Sequence, residues 1–232
     1  MEYEQYRVPL TEVLQRACTA SHEQVNNILN ELNFQLNTKP ENSIIPAYFD
    51  ASKELAHLCY SIVRLIKPSI VVETGVGRGV SSYCILQALE RNGHGHLYSI
   101  DLPMLKSGVD QDVGKLVPIS LRLRWTLIFG PGIYEMKKLR KQLKNIDIFI
   151  HDSNHTYLNQ LAEYQIAHTW LRRGGILISD NVGNDALLET NEKFGGQLMV
   201  IKQNKSDYLG IIRVGLTPNG SLFKKDKDII GL

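Results

Sequence analysis

The chain has 232 residues, a formal net charge of +2 and 43% hydrophobic residues. That length supports one substantial core with added elements, and lysines and arginines spread along the chain leave no electrostatic footprint for nucleic acid or an anionic membrane. Three cysteines, Cys18, Cys59 and Cys84, form no CxxC pair and no even set, which predicts a reducing compartment, no structural zinc and buried small side chains.

The N-terminus, MEYEQYRVPL, lacks the basic and apolar segments of a secretory signal, and no window reaches the roughly 18 apolar residues of a membrane span. A soluble, cytoplasmic protein is expected. Residues 11–35 place Val25, Ile28, Leu29 and Leu32 at helical spacing, with Thr11 as an N-cap. Beyond Pro40 and Pro46, Asp50 is expected to cap a second helix whose stripe runs Ala51, Leu55, Leu58, Cys59, Ile62, Leu65, Ile66 and stops before Pro68. From there the pattern changes. Short apolar runs at 69–73, 96–100, 125–129, 146–150 and 176–179 alternate with helical stretches at 80–91, 132–144 and 157–171. The last of these helices reads as running through Leu158, Ala162, Ile166 and Trp170. Strands without polar alternation, separated by helices, predict a doubly wound, mostly parallel α/β sheet covered on both faces. Residues 197–202 and 208–214, joined by QNKSD, read as an added hairpin, and KKDKDIIGL is a charged tail. The expected division is an N-terminal helical lid or dimerisation segment at 1–48, a main domain at 49–216 and the tail at 217–232.

In a doubly wound sheet a ligand sits beyond the carboxyl ends of the strands, where the first strand turns into its helix. VVETGVGRGVSS, residues 71–82, lies at that place. Gly75, Gly77 and Gly79 let backbone N–H groups approach a ligand, and the helix start near Val80 adds partial positive charge. The dinucleotide fingerprint G-x-G-x-x-G would need a glycine where Val80 stands, and no Gly-Lys-Ser/Thr follows for a phosphate loop. Glu73 ends the first strand and Asp101 ends the second. A carboxylate at Asp101 can accept both hydroxyls of a ribose, and one at Glu73 can organise the turn or meet a cationic amino group, a pairing that suits S-adenosylmethionine.

Five stretches, VETGVGRGVSS, YSIDLP, LVPISLRLRWTLIFGPG, FIHDSNHTY and LRRGGILISDNVG, follow one another between about 69 and 185. In this order the chain resembles the class I S-adenosylmethionine-dependent methyltransferases, and particularly the small bacterial O-methyltransferases of catechol and macrolide-sugar type. The resemblance implies a Rossmann-like seven-stranded sheet with a reversed final hairpin, cofactor contacts from Glu73, Gly75, Gly77, Gly79, Ser81, Asp101, Leu102, Gly130 and Asp152, and a homodimer. Many relatives end the third strand in Gly-Asp; here it ends Gly130-Pro131-Gly132, which offers no side chain for adenine.

A hydroxyl acceptor must lose a proton, and two devices sit at strand ends. Asp152 after the fourth strand, with Asp180 and Asn181 after the fifth, offers three oxygen ligands for Mg²⁺ or another divalent cation. The resemblance points to a metal here too, although an ungapped match sets His151, not Asp152, on the first metal aspartate of the catechol type. His155, three residues after Asp152, is the candidate base, with His151 ranked below it. Lys137, Lys138, Arg140, Lys141 and Lys144 read as a solvated helix face, Trp125 and Trp170 as core, and Tyr48 and Phe49 as a candidate acceptor wall or ordinary packing. The expectation is therefore methyl transfer to a small-molecule hydroxyl. The alternatives are a binding protein on the same fold without turnover, a nicotinamide-dependent oxidoreductase, or an iron-using hydroxylase of the cephalosporin type.

Overall fold

The structure is a computed structural model that describes residues 2–32, 45–47, 50–102, 112–203 and 207–215. Tyr48, Phe49, most of the QNKSD turn and the charged tail lie outside these residues. Five apolar runs form parallel strands: β1 (Ile70–Thr74), β2 (His96–Asp101), β3 (Trp125–Phe129), β4 (Ile146–His151) and β5 (Leu171–Ser179). The hairpin of β6 (Gln197–Lys202) and β7 (Tyr208–Arg213) adds to them, β7 running antiparallel to β5. The sheet order is β3-β2-β1-β4-β5-β7-β6. This is the expected Rossmann-like methyltransferase architecture with its reversed end.

Side chains alternate across the sheet into two separate cores, which is why the strands carry no polar face. Val71, Ile148, Ile150, Ile176, Ile178 and Ile211 face α1 (Leu10–Cys18), α2 (His22–Glu31), α3 (Lys53–Ile66) and α4 (Val80–Asn92). Val72, Phe149, Leu177 and Ile212 face α5 (Gly132–Arg140), α6 (Tyr157–Trp170) and α7 (Ala186–Phe194). Each fully buried branched aliphatic side chain contributes about 1.5–3 kcal/mol. Trp170 is in the second core, as expected, whereas Trp125 is half-buried and donates its indole N–H to Ser99 Oγ at 2.8 Å.

Four local expectations change. The single N-terminal helix is two, because Thr19 takes a left-handed conformation (φ 55°) and Ser21 opens α2 with a full capping box to Gln24; α1 starts at Leu10 with Pro9, not Thr11, as its N-cap. Ser52, not Asp50, caps α3, its Oγ accepting from Leu55 N–H at 3.1 Å; Asp50 is instead paired with Arg78. β5 begins at Leu171, before the expected 176, with a register irregularity opposite Ile146 and Ile148. On α6 the buried face is Gln160, Glu163, Tyr164, Ala167 and Trp170, while Leu158 is 75% exposed. Two polar residues on the inward stripe shift the apparent helical phase.

Candidate active site

The β1–α4 turn is shaped by what lies against it. Gly75 has φ +83°, and a Cβ there would stand 2.0 Å from the carbonyl oxygen of Asp152. No other residue fits. The next two N–H groups, of Val76 and Gly77, both donate to Asp101 Oδ2, at 2.7 and 3.1 Å. Burial raises the Asp101 pKa while those two N–H groups hold it down. Gly79 is the N-cap of α4, with its Cα side pressed on Gly114.

Glu73 is fully buried behind the turn and accepts hydroxyl hydrogens from Ser81 (2.5 Å), Ser82 (2.6 Å) and Ser99 (2.8 Å). Burial pushes its pKa up, against the pull of the three hydroxyls. Its oxygens are engaged within the protein, so of the two roles expected for it the geometry matches the organising one. Arg78 adds a second anchor: its guanidinium grips Asp50 through Nε–Oδ1 at 2.8 Å and a further Nη2–Oδ2 contact, and both side chains are largely buried. The turn is thereby tied to the segment leading into α3.

A cavity of about 490 Å³ opens beside the turn, lined among others by Gly75, Gly77, Asp101, Leu102, Gly130 and Asp152. Ile45 adds an apolar wall, and Asn159 and Glu163 reach it from α6. Gly79, Ser81 and Glu73 are not on its wall. Glu163, 1% exposed, gathers donors from four places: Thr74 Oγ1 (2.6 Å), His151 Nδ1 (2.8 Å), Ser153 Oγ (3.1 Å) and Asn159 Nδ2 (3.2 Å). Burial raises its pKa, but the His151 bond and the hydroxyls outweigh this and hold it below the usual value. It cements the ends of β1 and β4 to α6, and a Cβ on Gly132 would come within 2.6 Å of its Oε1.

Beyond β4 and β5, a carboxylate oxygen of Asp152 and one of Asp180 lie within 4.8 Å of each other, close enough for each charge to oppose the other's ionisation. Burial first, then Asp180 and Glu73, push the Asp152 pKa well above the carboxylate range. Asp180 also accepts from Gln203 Nε2 at 2.8 Å. His155 joins the pair, its Nε2 3.8 Å from Asp152 Oδ1 and its Nδ1 3.3 Å from Asn181 Nδ2. Burial and the neighbouring His151 lower the His155 pKa, against Asp180 and Asp207. Asn181 holds a left-handed backbone (φ 47°). The structure thus brings Asp152, His155, Asp180 and Asn181 together, while His151 is sealed under the cavity floor.

Residues 72–182, which contain β1, the turn, β2 to β5 and this cluster, match the family model described as a methyltransferase domain. That match covers a little under half of the chain. No curated protein matches the chain in sequence at a significant level. Among solved structures, the O-methyltransferase TomG of Streptomyces achromogenes, involved in tomaymycin synthesis and solved with S-adenosylmethionine, superposes with a TM-score of 0.59 at 14% identity, covering 92% of this chain and 99% of its own. An O-methyltransferase from Bacillus cereus with S-adenosylhomocysteine gives 0.56 at 13% identity, over 91% and 99%. The methyltransferase PaMTH1 of Podospora anserina, also with S-adenosylhomocysteine, gives 0.54 at 15%, over 92% of each chain.

Three residues carrying the site's geometry were not singled out from the sequence: Arg78, Glu163 and Gln203. Arg78 stood in the quoted motif, and a charged residue between glycines of a buried turn is a signal in itself. Glu163 had one too, as an acid on the inward stripe of a helix. Gln203 had none.

Proposed function

We propose that the protein transfers the methyl group of S-adenosylmethionine to a hydroxyl of a small molecule. The observation that carries this reading is Asp101. One carboxylate oxygen takes two turn N–H groups and fixes the carboxyl at the cavity wall. That leaves its other oxygen to accept ribose hydroxyls. The Gly75 cradle, which any Cβ would fill, gives a ligand close access to backbone, and the cavity volume suits a nucleoside with an amino-acid arm. When bound, the cofactor supplies a methyl group on a sulfonium.

The chain's own part is placement. In-line transfer needs the acceptor oxygen about 3–3.5 Å from the methyl carbon, and Asp152 is on the wall common to the cavity and the carboxylate cluster. Asp152 and Asp180 fit a divalent cation, since two carboxylate oxygens and His155 Nε2 lie within 4.8 Å of one another and that nitrogen is out of solvent with no hydrogen-bond partner among the described residues. A cation there would draw charge from an acceptor hydroxyl and ease loss of its proton. With no cation bound, His155 is the group placed to take the same proton as a base. Oxygen as the acceptor atom is supported by the O-methyltransferases that share the fold.

In this reading residues 1–48 serve as lid or dimer contact, and Ile45 on the cavity wall supports the lid. No helix among the described residues is long and apolar enough to cross a membrane. The test is release of S-adenosylhomocysteine, followed by mass spectrometry, from protein, S-adenosylmethionine and panels of sugar, phenol and polyketide hydroxyls. Release that depends on the acceptor is expected. Cofactor binding without release from any panel member would favour the binding-protein alternative.

A further inference from the structure

Three donor atoms, a carboxylate oxygen each from Asp152 and Asp180 and an imidazole nitrogen from His155, lie within 4.8 Å of one another beyond β4 and β5. Each is held from outside the cluster. Gln203 Nε2 grips Asp180 Oδ1 at 2.8 Å and is itself braced on Ser52 Oγ at 3.0 Å. Asp152 is fixed through its backbone, where its N–H donates to Thr74 O at 2.8 Å and its carbonyl is packed against Gly75. The imidazole is fixed by Asn181, whose amide meets Nδ1 at 3.3 Å. That contact leaves Nε2 as the atom facing the carboxylates, 3.8 Å from Asp152 Oδ1, shielded from solvent and without a hydrogen bond among the described residues.

This is how a metal-bound histidine is normally held, with one nitrogen on the ion and the other oriented by a hydrogen-bonding partner. The oxygen and nitrogen of an asparagine amide exchange by rotation, so Asn181 can accept from Nδ1–H and leave a lone pair on Nε2. Asn181 cannot both orient the imidazole in this way and serve as the third oxygen ligand. We infer that His155, through Nε2, completes a cation site of two carboxylates and one imidazole, with Asn181 as its positioning residue, and that the site selects a borderline ion such as Zn²⁺ over the hard ions Mg²⁺ and Mn²⁺. Mg²⁺ prefers oxygen and holds its water, whereas imidazole suits the later first-row ions. His155 is then a ligand and not a free base. The inference rests on the methyltransferase reading for the meaning of the site, but on the donor geometry alone for the ion.

The test is calorimetry on metal-free full-length protein with Zn²⁺, Mn²⁺ and Mg²⁺ in turn, and with S-adenosylhomocysteine on the same samples. Wild type is expected to bind Zn²⁺ far more tightly than Mn²⁺ or Mg²⁺. His155→Asn, which offers an oxygen in place of the imidazole, is expected to lose about 100-fold in Zn²⁺ affinity while Mg²⁺ changes less than about threefold. Asn181→Ala is expected to lose about 10-fold or more in Zn²⁺ affinity. S-adenosylhomocysteine binding stays near wild type in both. Absence of Zn²⁺ binding to wild type, or His155→Asn with unchanged Zn²⁺ affinity, or equal losses for Zn²⁺ and Mg²⁺, would overturn the inference. None of these outcomes touches the cofactor-binding part of the methyltransferase reading, which fails if S-adenosylhomocysteine is not bound.

Discussion

Gly75 and Asp101 are the residues on which the proposed cofactor end of the site rests. Gly75→Ala places a Cβ against the Asp152 carbonyl at a positive φ, so both strain and overlap act, and a loss of at least about 2 kcal/mol is expected. A melting temperature within a degree of wild type would contradict that. Asp101→Asn keeps an oxygen for the Val76 and Gly77 N–H groups but presents NH₂ where the ribose needs an acceptor. Its fold should persist while S-adenosylhomocysteine affinity falls about 10- to 100-fold by calorimetry, the size of a hydrogen bond to a charged group. Both positions were legible in the sequence, because a strand end followed by a glycine turn constrains chemistry locally. Glu163, Arg78 and Gln203 were not, because their partners are remote: Arg78 finds Asp50 28 residues away and Glu163 finds Thr74 at a distance of 89. Such pairing is a property of the folded chain.

Between elements, two charged joints are open to measurement. Arg78 and Asp50 tie the α4 turn to the segment before α3, and removing one partner strands the other in a largely buried place. Arg78→Met alone should cost about 3–5 kcal/mol, and adding Asp50→Ala should recover part of it in a double-mutant cycle by urea unfolding. Strict additivity would show that the pair is not coupled. The second joint is Glu31 at the end of α2, which accepts from Arg64, Tyr60 and Arg91 on α3 and α4. The Arg64 hydrogen bonds lead in holding its pKa at about 2, below its ordinary 4.5. A lowered folded value means the contribution is complete above 4.5 and lost as pH falls towards 2. The stability gap between wild type and Glu31→Gln should close over that window, and a gap that stays constant across it would contradict the assignment. The helix break at Thr19 and the inward face of α6 escaped the sequence reading for related reasons. One depends on a capping box that closes only when the chain turns, and the other on Gln160 and Glu163, polar residues that satisfy themselves inside.

At the scale of the molecule, the sheet was readable because parallel strands buried on both faces leave continuous apolar runs, and the antiparallel hairpin because its two runs are close in sequence. What the runs could not reveal is that β4, β5 and the hairpin end, through Gln203, converge on one carboxylate pair. The central claim is that the cavity at the β1–α4 turn holds S-adenosylmethionine, and titration of the full-length protein with S-adenosylhomocysteine tests it most directly. Saturable one-to-one binding with a dissociation constant below about 0.1 mM is expected, weakened by Asp101→Asn, with no comparable binding of NADH. An absence of heat with S-adenosylhomocysteine at millimolar concentration, from protein shown to be folded, would contradict it.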